Sequence, residues 1–127
     1  MNILLIEPDR LLAKTYTAAL QAQGHAVVAV PTAQTAITAA DVRQPDAVIL
    51  ELQLVEHSGI EFLYEFRSYT DWQTIPVIIH SLVPPSEFHG SQDILQNELY
   101  VVSYLYKPRT SLSQLCRALD ELAVTPA

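Results

Sequence analysis

The chain has 127 residues, 50% of them hydrophobic and 17% charged, which is typical of one globular domain with a sizeable core. A formal charge of -7 and only two lysines, Lys14 and Lys107, exclude the clustered cations that nucleic-acid binding requires. No apolar run is long enough to cross a membrane, and no basic segment precedes the first apolar run, so neither a membrane span nor a signal peptide is predicted. The single Cys116 cannot form an internal disulfide, and we therefore expect a cytoplasmic protein.

Short apolar runs alternate with amphipathic stretches along the whole chain. The apolar runs lack a polar face, as strands buried in a parallel sheet do. The predicted strands are Asn2–Ile6, His25–Val30, Ala47–Leu50, Ile75–Ser81 and Tyr100–Tyr106. The predicted helices are 9–23, 32–42, a third from Ser58 or Gly59, Ser91–Leu99, and a fifth from Thr110 or Ser111 through Leu122. This alternation implies one doubly wound parallel α/β domain over residues 1–123, with a frayed tail at 124–127.

Polar side chains stand where four of the predicted strands end. Glu7 follows the first strand, Glu51 the third and Lys107 the fifth. Ser81 ends the fourth. In open α/β sheets, ligands and chemistry collect at the carboxyl ends of strands. Each of these residues alone is also explained as a solvated strand-end side chain, but two acids, a hydroxyl and an ammonium together predict a site for an anion or a metal.

Four segments resemble the receiver domain of two-component response regulators, and the resemblance covers the whole chain. They are ILLIEPD, PDAVILELQLVEHSG, PVIIHS and SYLYKP. Gly59 and Ser81 lie 8 and 30 residues after Glu51, as in that family, whereas Lys107 follows Ser81 by 26, about four more than is usual. The resemblance implies a flavodoxin-like fold with five strands in the order 2-1-3-4-5 and five helices.

The resemblance also assigns a role to each residue of the site. Glu51 stands at the position of the phosphoacceptor, and Lys107 with Pro108 matches the family's Lys-Pro pair, for which a cis peptide bond is expected. The remaining assignments are an acidic loop, Glu7 and Asp9, and a switch hydroxyl and aromatic, Ser81 and Tyr104.

Departures from the family pattern indicate a site that has lost its chemistry. The family's phosphoacceptor is Asp, but this chain has Glu51, whose extra methylene we expect to push the carboxylate outward. Pro8 replaces the second acid of the first loop, which binds magnesium in the family, and Asp9 is a poor substitute. Leu82 stands where the family usually has Ala or Gly, which narrows access. Magnesium binding is therefore expected to be lost or weak, with no metal site and no other cofactor.

We therefore interpret the chain as a pseudo-receiver, a signalling and protein-interaction module that does not depend on phosphorylation, and not as an enzyme. In this interpretation Glu51 mimics the phosphorylated aspartate, Lys107 pairs with it, Ser81 donates a hydrogen bond to it, and Tyr104 turns inward. In an open cleft the ion pair would contribute only about 0–1 kcal/mol. The alternative is a functional receiver in a phosphorelay, with Glu51 or another acid as a non-standard phosphoacceptor.

Signal output in this family passes through the face built by the fourth helix, the fifth strand and the fifth helix. We expect a protein partner or a second copy of the chain to bind there, and neither a nucleic acid nor a membrane. The exposed candidates on that face are Asp93, Gln96, Tyr106, Arg109, Gln114 and Arg117. The four histidines lack chelating spacing, and His80 alternates with Ser81 and should point away from the site.

Overall fold

The structure, a computed structural model, describes residues 1–124. Five parallel strands form one sheet in the order β2-β1-β3-β4-β5, which confirms the predicted topology. The strands are β1 Asn2–Ile6, β2 Ala26–Val30, β3 Ala47–Leu50, β4 Val77–Ser81 and β5 Val101–Tyr106. Three strands, β2, β4 and β5, begin one or two residues later than predicted. At β4 the reason is Pro76, which immediately precedes the strand and lacks the N–H that a sheet ladder needs.

Five helices connect and follow the strands. They are α1 Arg10–Ala22, α2 Ala33–Val42, α3 Gly59–Ser68, α4 Ile94–Glu98 and α5 Leu112–Val124. The predicted caps Asp9, Thr32 and Ser58 each accept a backbone N–H of the first turn, and Ser111 does the same for α5. None of the helices within residues 1–124 is long and apolar enough to cross a membrane. The three final residues of the predicted tail lie outside the described part of the chain.

The fourth helix differs from the prediction. A regular helix was expected over Ser91–Leu99, but α4 is a single π-helical turn that closes with a bond from the Leu99 N–H to the Ile94 carbonyl. Before α4, the chain forms a 3-10 turn at Pro85–Phe88 and passes through Gly90, whose backbone is in the left-handed conformation. The additional residues between β4 and β5 therefore form irregular turns and do not extend the helix.

The two faces of the sheet are covered by different helices. Leu50, Ile79, Phe62 and Leu63 belong to the larger cluster, which α2, α3 and α4 build on one face. On the other face, α1 and α5 cover a smaller cluster that includes Leu5 and that Cys116 borders as a half-buried side chain. Burial on both faces explains why the strands of the sheet centre read as unbroken apolar runs.

The sheet ladder continues past the strand ends and fixes the backbone of the site. The backbone N–H of Glu7 donates to the Val30 carbonyl and that of Glu51 donates to the Ile6 carbonyl, each with an N···O distance of 3.0 Å. These bonds place the two acids side by side at the carboxyl edge.

Gly59 lets α3 begin directly against the loop that follows β3. A Cβ atom there would lie 2.7 Å from Leu52 Cα and 2.7 Å from its Cδ2, closer than real carbon atoms approach. The Gly59 N–H also donates to the Leu52 carbonyl over 2.8 Å, so the two backbones cannot separate without losing that bond.

We expect Gly59→Ala to destabilise the domain by roughly 1–3 kcal/mol, because the clash is with backbone and cannot be relieved by a rotamer change. Urea unfolding at pH 7 measures the loss. Glu65→Ala, on the exposed side of the same helix, is the control and should stay within about 0.5 kcal/mol of wild type. Equal stability of Gly59→Ala and wild type would contradict the close approach.

Candidate functional site

The Glu51 carboxylate accepts four hydrogen bonds. Its Oε1 accepts from Lys107 Nζ at 2.8 Å and from the backbone N–H of Leu82 at 3.1 Å. Its Oε2 accepts from the backbone N–H of Gln53 at 3.1 Å and from the Ser81 hydroxyl. A carboxylate offers about four lone-pair sites, so this one is fully engaged.

Lys107 lies between two carboxylates. Its ammonium is 2.6 Å from Glu7 Oε1 and 2.8 Å from Glu51 Oε1. The other oxygen of Glu7 accepts the backbone N–H of Asp9 over 3.1 Å. The contact predicted between Lys107 and Glu51 is therefore present, and Glu7 joins it as a second partner.

The site is more buried than the sequence suggested. The side chains of Glu51, Glu7 and Lys107 are only 3%, 4% and 8% exposed, so the expectations of an open cleft and of an outward-pointing Glu51 are wrong. The extra methylene of Glu51 allows its carboxylate to fold back into the cleft, where one ammonium, one hydroxyl and two backbone N–H groups receive it. Removing one member of such a pair costs about 3–5 kcal/mol, well above the value for an exposed pair.

The contacts keep both partners ionised. Burial alone would raise the pKa of the Glu51 carboxyl, but hydrogen bonds from Lys107, Ser81 and Gln53 outweigh it and hold that pKa below its ordinary value. Burial alone would lower the pKa of the Lys107 ammonium, but its bonds to Glu51 and Glu7 raise that pKa instead. Glu51 and Lys107 therefore form a charged pair at neutral pH.

The Lys107–Pro108 peptide bond is trans, since residues 1–124 contain no cis bond, and the expected cis geometry is wrong. Pro108 lies in the 3-10 turn Lys107–Arg109, near its start, where the fixed φ of proline fits. Lys107 reaches both carboxylates with this trans geometry.

Tyr104 is turned toward the core. Its hydroxyl donates to the Val83 carbonyl at 2.5 Å, and its ring lies 5.9 Å from that of Phe88, centroid to centroid. Burial, together with the nearby charge of Glu51, raises the pKa of the Tyr104 phenol to about 12. The Ser81 hydroxyl also accepts the Val83 N–H at 3.0 Å, so a short hydrogen-bonded path joins Glu51 to Tyr104.

The donors around the cleft do not fit the magnesium site of the family. Asp9 is exposed and accepts the Leu12 N–H at 3.0 Å as the cap of α1, and Pro8 has no ligand atom on its side chain. Both oxygens of Glu7 already accept hydrogen bonds. Over the described residues, no three His, Cys, Asp or Glu side chains are grouped so that they could hold a metal ion.

The sequence did not reveal two of the four groups that bind Glu51. The N–H groups of Gln53 and Leu82 belong to the backbone, and backbone donors leave no signal in residue type. The side chains predicted for the site, Glu7, Glu51, Ser81 and Lys107, are brought together by the fold, while Asp9 and Pro108 lie at its rim. Their roles in signalling stay predictions.

The fold and this strand-end cluster define a receiver-type signalling domain. The family model described as "Response regulator receiver domain" matches residues 3–120, and the chain belongs to that family. The KDP operon transcriptional regulatory protein KdpE of Escherichia coli (strain K12) is 34% identical over 107 residues, which are 84% of this chain and 44% of KdpE. The chain therefore spans less than half the length of this relative.

Solved structures with the same fold share much less sequence. The chemotaxis response regulator CheY4 of Vibrio cholerae matches with a TM-score of 0.82 at 16% identity, over 95% of this chain and 97% of that one. The non-phosphorylated HemR receiver domain of Leptospira biflexa has a TM-score of 0.81 at 19% identity, over 99% and 96%. A sensor protein of Polaromonas sp. JS666 has a TM-score of 0.80 at 22% identity, over 95% and 97%.

His80 lies on the opposite face from the site, as predicted. It is 3% exposed, and its ring makes an edge contact with Tyr16 at 4.9 Å between centroids. Burial, together with the charge of Lys107, lowers the pKa of His80 to about 4. The native state therefore holds this imidazole neutral.

We expect the domain to lose roughly 2–3 kcal/mol of stability through His80 between pH 7 and pH 4.5. The unfolded chain takes up the proton near pH 6.5, while the native state resists until about pH 4, so stability falls as pH falls. Urea unfolding measures the free energy of unfolding at pH 7 and at pH 4.5. The difference between the two values should be about 2–3 kcal/mol smaller in His80→Phe, which keeps a ring against Tyr16, than in wild type. The exposed His89→Phe is the control. An unchanged pH difference in His80→Phe would contradict the neutral buried state.

Proposed function

We propose that the chain is a receiver that signals without phosphorylation, with Glu51 in place of the phosphoacceptor as a permanent charge. The observation that carries this proposal is the saturation of the Glu51 carboxylate, both of whose oxygens accept two hydrogen bonds. As the single Cys116 favours a reducing compartment, the proposal places the module in the cytoplasm.

Saturation argues against phosphoryl acceptance by Glu51. A carboxylate that attacks phosphorus needs a free lone pair and in-line placement to within about an ångström. Attack by Glu51 would require it to give up the Lys107 ammonium or the Ser81 hydroxyl, both in a nearly dry site. The missing magnesium ligand at Pro8 removes the cation that would offset the charge of the incoming phosphoryl group.

The same contacts support a mimic of the activated state. A charge-assisted hydrogen bond such as the one from Ser81 contributes roughly 1.5–3 kcal/mol. If the two arrangements of Tyr104 differ by a similar free energy, this bond makes the inward one dominant. Ser81 holds the Val83 N–H, and the Val83 carbonyl receives Tyr104, so the carboxylate acts on the aromatic through one short segment.

The output face, which we define as the exposed sides of α4, β5 and α5 with the residues that directly flank them, offers a surface for a protein partner or a second copy of the chain. Five of its predicted contact residues are exposed, namely Asp93, Gln96, Arg109, Gln114 and Arg117, while Tyr106 is half-buried. Beside Tyr104, the side chains of Phe88, Leu95 and Val102 border a groove of about 150 Å³. An inward Tyr104 forms one wall of this groove, so the state of the site sets its shape.

We expect no stable phosphoryl group on this chain. Intact-mass spectrometry after incubation with acetyl phosphate and magnesium should show only the unmodified mass, because Glu51 has no free lone pair. A mass increase of one phosphoryl group would contradict the proposal and support the alternative of a receiver with a non-standard phosphoacceptor.

The matched variants for that experiment rebuild the family's acids. Glu51→Asp together with Pro8→Asp should restore magnesium binding, since magnesium needs well-placed carboxylate oxygens, while either change alone should do so poorly. Calorimetric titration with magnesium measures the four proteins. Equal affinity of wild type and the double variant would refute this account of the lost metal site.

We expect Glu51→Gln and Ser81→Ala to release Tyr104, lowering the ratio of its inward to its outward form by about tenfold or more. NMR contacts between the rings of Tyr104 and Phe88 report the inward state, and sedimentation reports any association through the output face. Glu65→Gln and Ser68→Ala, exposed on α3, are the matched controls. If both site variants keep the ring contacts of wild type, Glu51 does not act as a mimic.

A further inference from the structure

Arg67 is a buried cation at the end of the sheet far from the site. It lies near the C-terminus of α3, is 9% exposed, and donates to three backbone carbonyls. They are those of Trp72 at 2.6 Å, Leu99 at 2.9 Å and Tyr100 at 3.3 Å. Among the described residues, no carboxylate lies within 4.0 Å of this guanidinium.

Two of the three carbonyls stand at the ends of short helices. Trp72 ends the 3-10 turn Thr70–Trp72, and Leu99 is the C-terminal cap of α4. The last carbonyls of a helix have no intrahelical donor, and a cation there also offsets the helix dipole. Arg67 therefore completes two short helices at once and joins both to α3.

The joint between α4 and β5 is formed by Tyr100, whose backbone conformation is unusual for a residue with a side chain. It has a φ of 51°, in the left-handed region where glycine usually stands after a helix. The pairing of β4 and β5 shifts register between Val77 and Ile78, directly beside it. Arg67 holds the Tyr100 carbonyl, and the guanidinium carbon lies 5.7 Å from the centroid of the Tyr100 ring. These contacts hold the turn in a conformation that a tyrosine backbone would not adopt by itself.

Burial has a cost that the carbonyls offset. Burial lowers the pKa of the Arg67 guanidinium to about 10, so the group stays charged at neutral pH. A buried charge without a carboxylate partner needs several good hydrogen bonds to be tolerated. A methionine or leucine would fill the same volume without the cost of burying a charge. We therefore attribute the role of Arg67 to its hydrogen-bond donors and not to its bulk.

We infer that Arg67 is a positioning residue that fixes the joint between α4 and β5, and with it the shape of the output face; this inference rests on the proposed function. The joint runs directly into Val101 and Val102, which line the groove of that face. β5 spans roughly 20 Å between this joint and the Glu51 cluster. The output face is thus held at both ends, by Tyr104 near the site and by Arg67 at the far end.

Hydrogen exchange on the 127-residue chain tests this directly. The amide of Leu99 bonds to Ile94 in α4, and the amide of Val77 bonds to the Tyr100 carbonyl, so both report on the joint. In Arg67→Met, which keeps bulk but has no donors, their exchange should rise about tenfold more than that of the Leu5 and Ile49 amides in the central strands.

Arg67→Lys separates charge from geometry. Its single ammonium cannot reproduce the three-carbonyl contact, so exchange at the joint should rise by an intermediate amount. Arg43→Met, an exposed arginine after α2, is the matched control and should leave the joint unchanged. An equal rise at all amides in Arg67→Met, or no rise at Leu99 and Val77, would overturn the inference.

The groove gives the second readout. The amide NMR signals of Val102 and Ser103 should shift in Arg67→Met, while the Tyr104–Phe88 ring contacts persist, because the Glu51 cluster is intact. Unshifted Val102 and Ser103 signals would overturn the link to the output face. If wild type takes up a phosphoryl group but Arg67→Met still loosens only the joint, the proposed function fails and the role of Arg67 in the joint stands.

Discussion

The site depends on the two ion pairs of the Lys107 ammonium. This ammonium lies within 2.8 Å of carboxylates from two other strand ends, Glu7 and Glu51, in a cleft that excludes most solvent. Without a shared cation, two buried carboxylates this close together would repel each other. Lys107 bonds to both acids at once and thereby draws the ends of β1, β3 and β5 together. Its importance is geometric more than energetic, because buried ion pairs gain little net free energy over apolar packing.

Glu51 converts that geometry into a fixed signal under the proposed function. A phosphorylated aspartate would bring its charge only while the phosphoryl group lasts, whereas the glutamate carboxylate is always present. Ser81 and the Leu82 N–H bind it from the end of β4, the strand that leads to Val83, whose carbonyl accepts the Tyr104 hydroxyl. The permanent charge and the inward aromatic are therefore two ends of one hydrogen-bonded path.

Local signals made much of this fold predictable, and long-range packing decided the rest. Buried apolar runs and short polar caps such as Asp9 and Thr32 act within a few residues, so the strands and three helix starts followed from sequence, while the order of the strands followed from the resemblance to receiver domains. The depth of the Glu51 carboxylate did not, because it depends on backbone donors from two loops. The single turn of α4 and the role of Arg67 were also missed, since both depend on carbonyls 32 and 33 residues away from that arginine.

The titration of Glu51 itself tests the central claim most directly. Carbon-13 NMR of the side-chain carboxyl can follow its protonation as the pH is lowered, with a short unstructured glutamate peptide as the reference. Four hydrogen bonds to the charged form predict a midpoint below the ordinary glutamate value of about 4.3. A midpoint at or above the ordinary value would mean that burial outweighs these bonds, and Glu51 would then not be the fixed charge that this account requires.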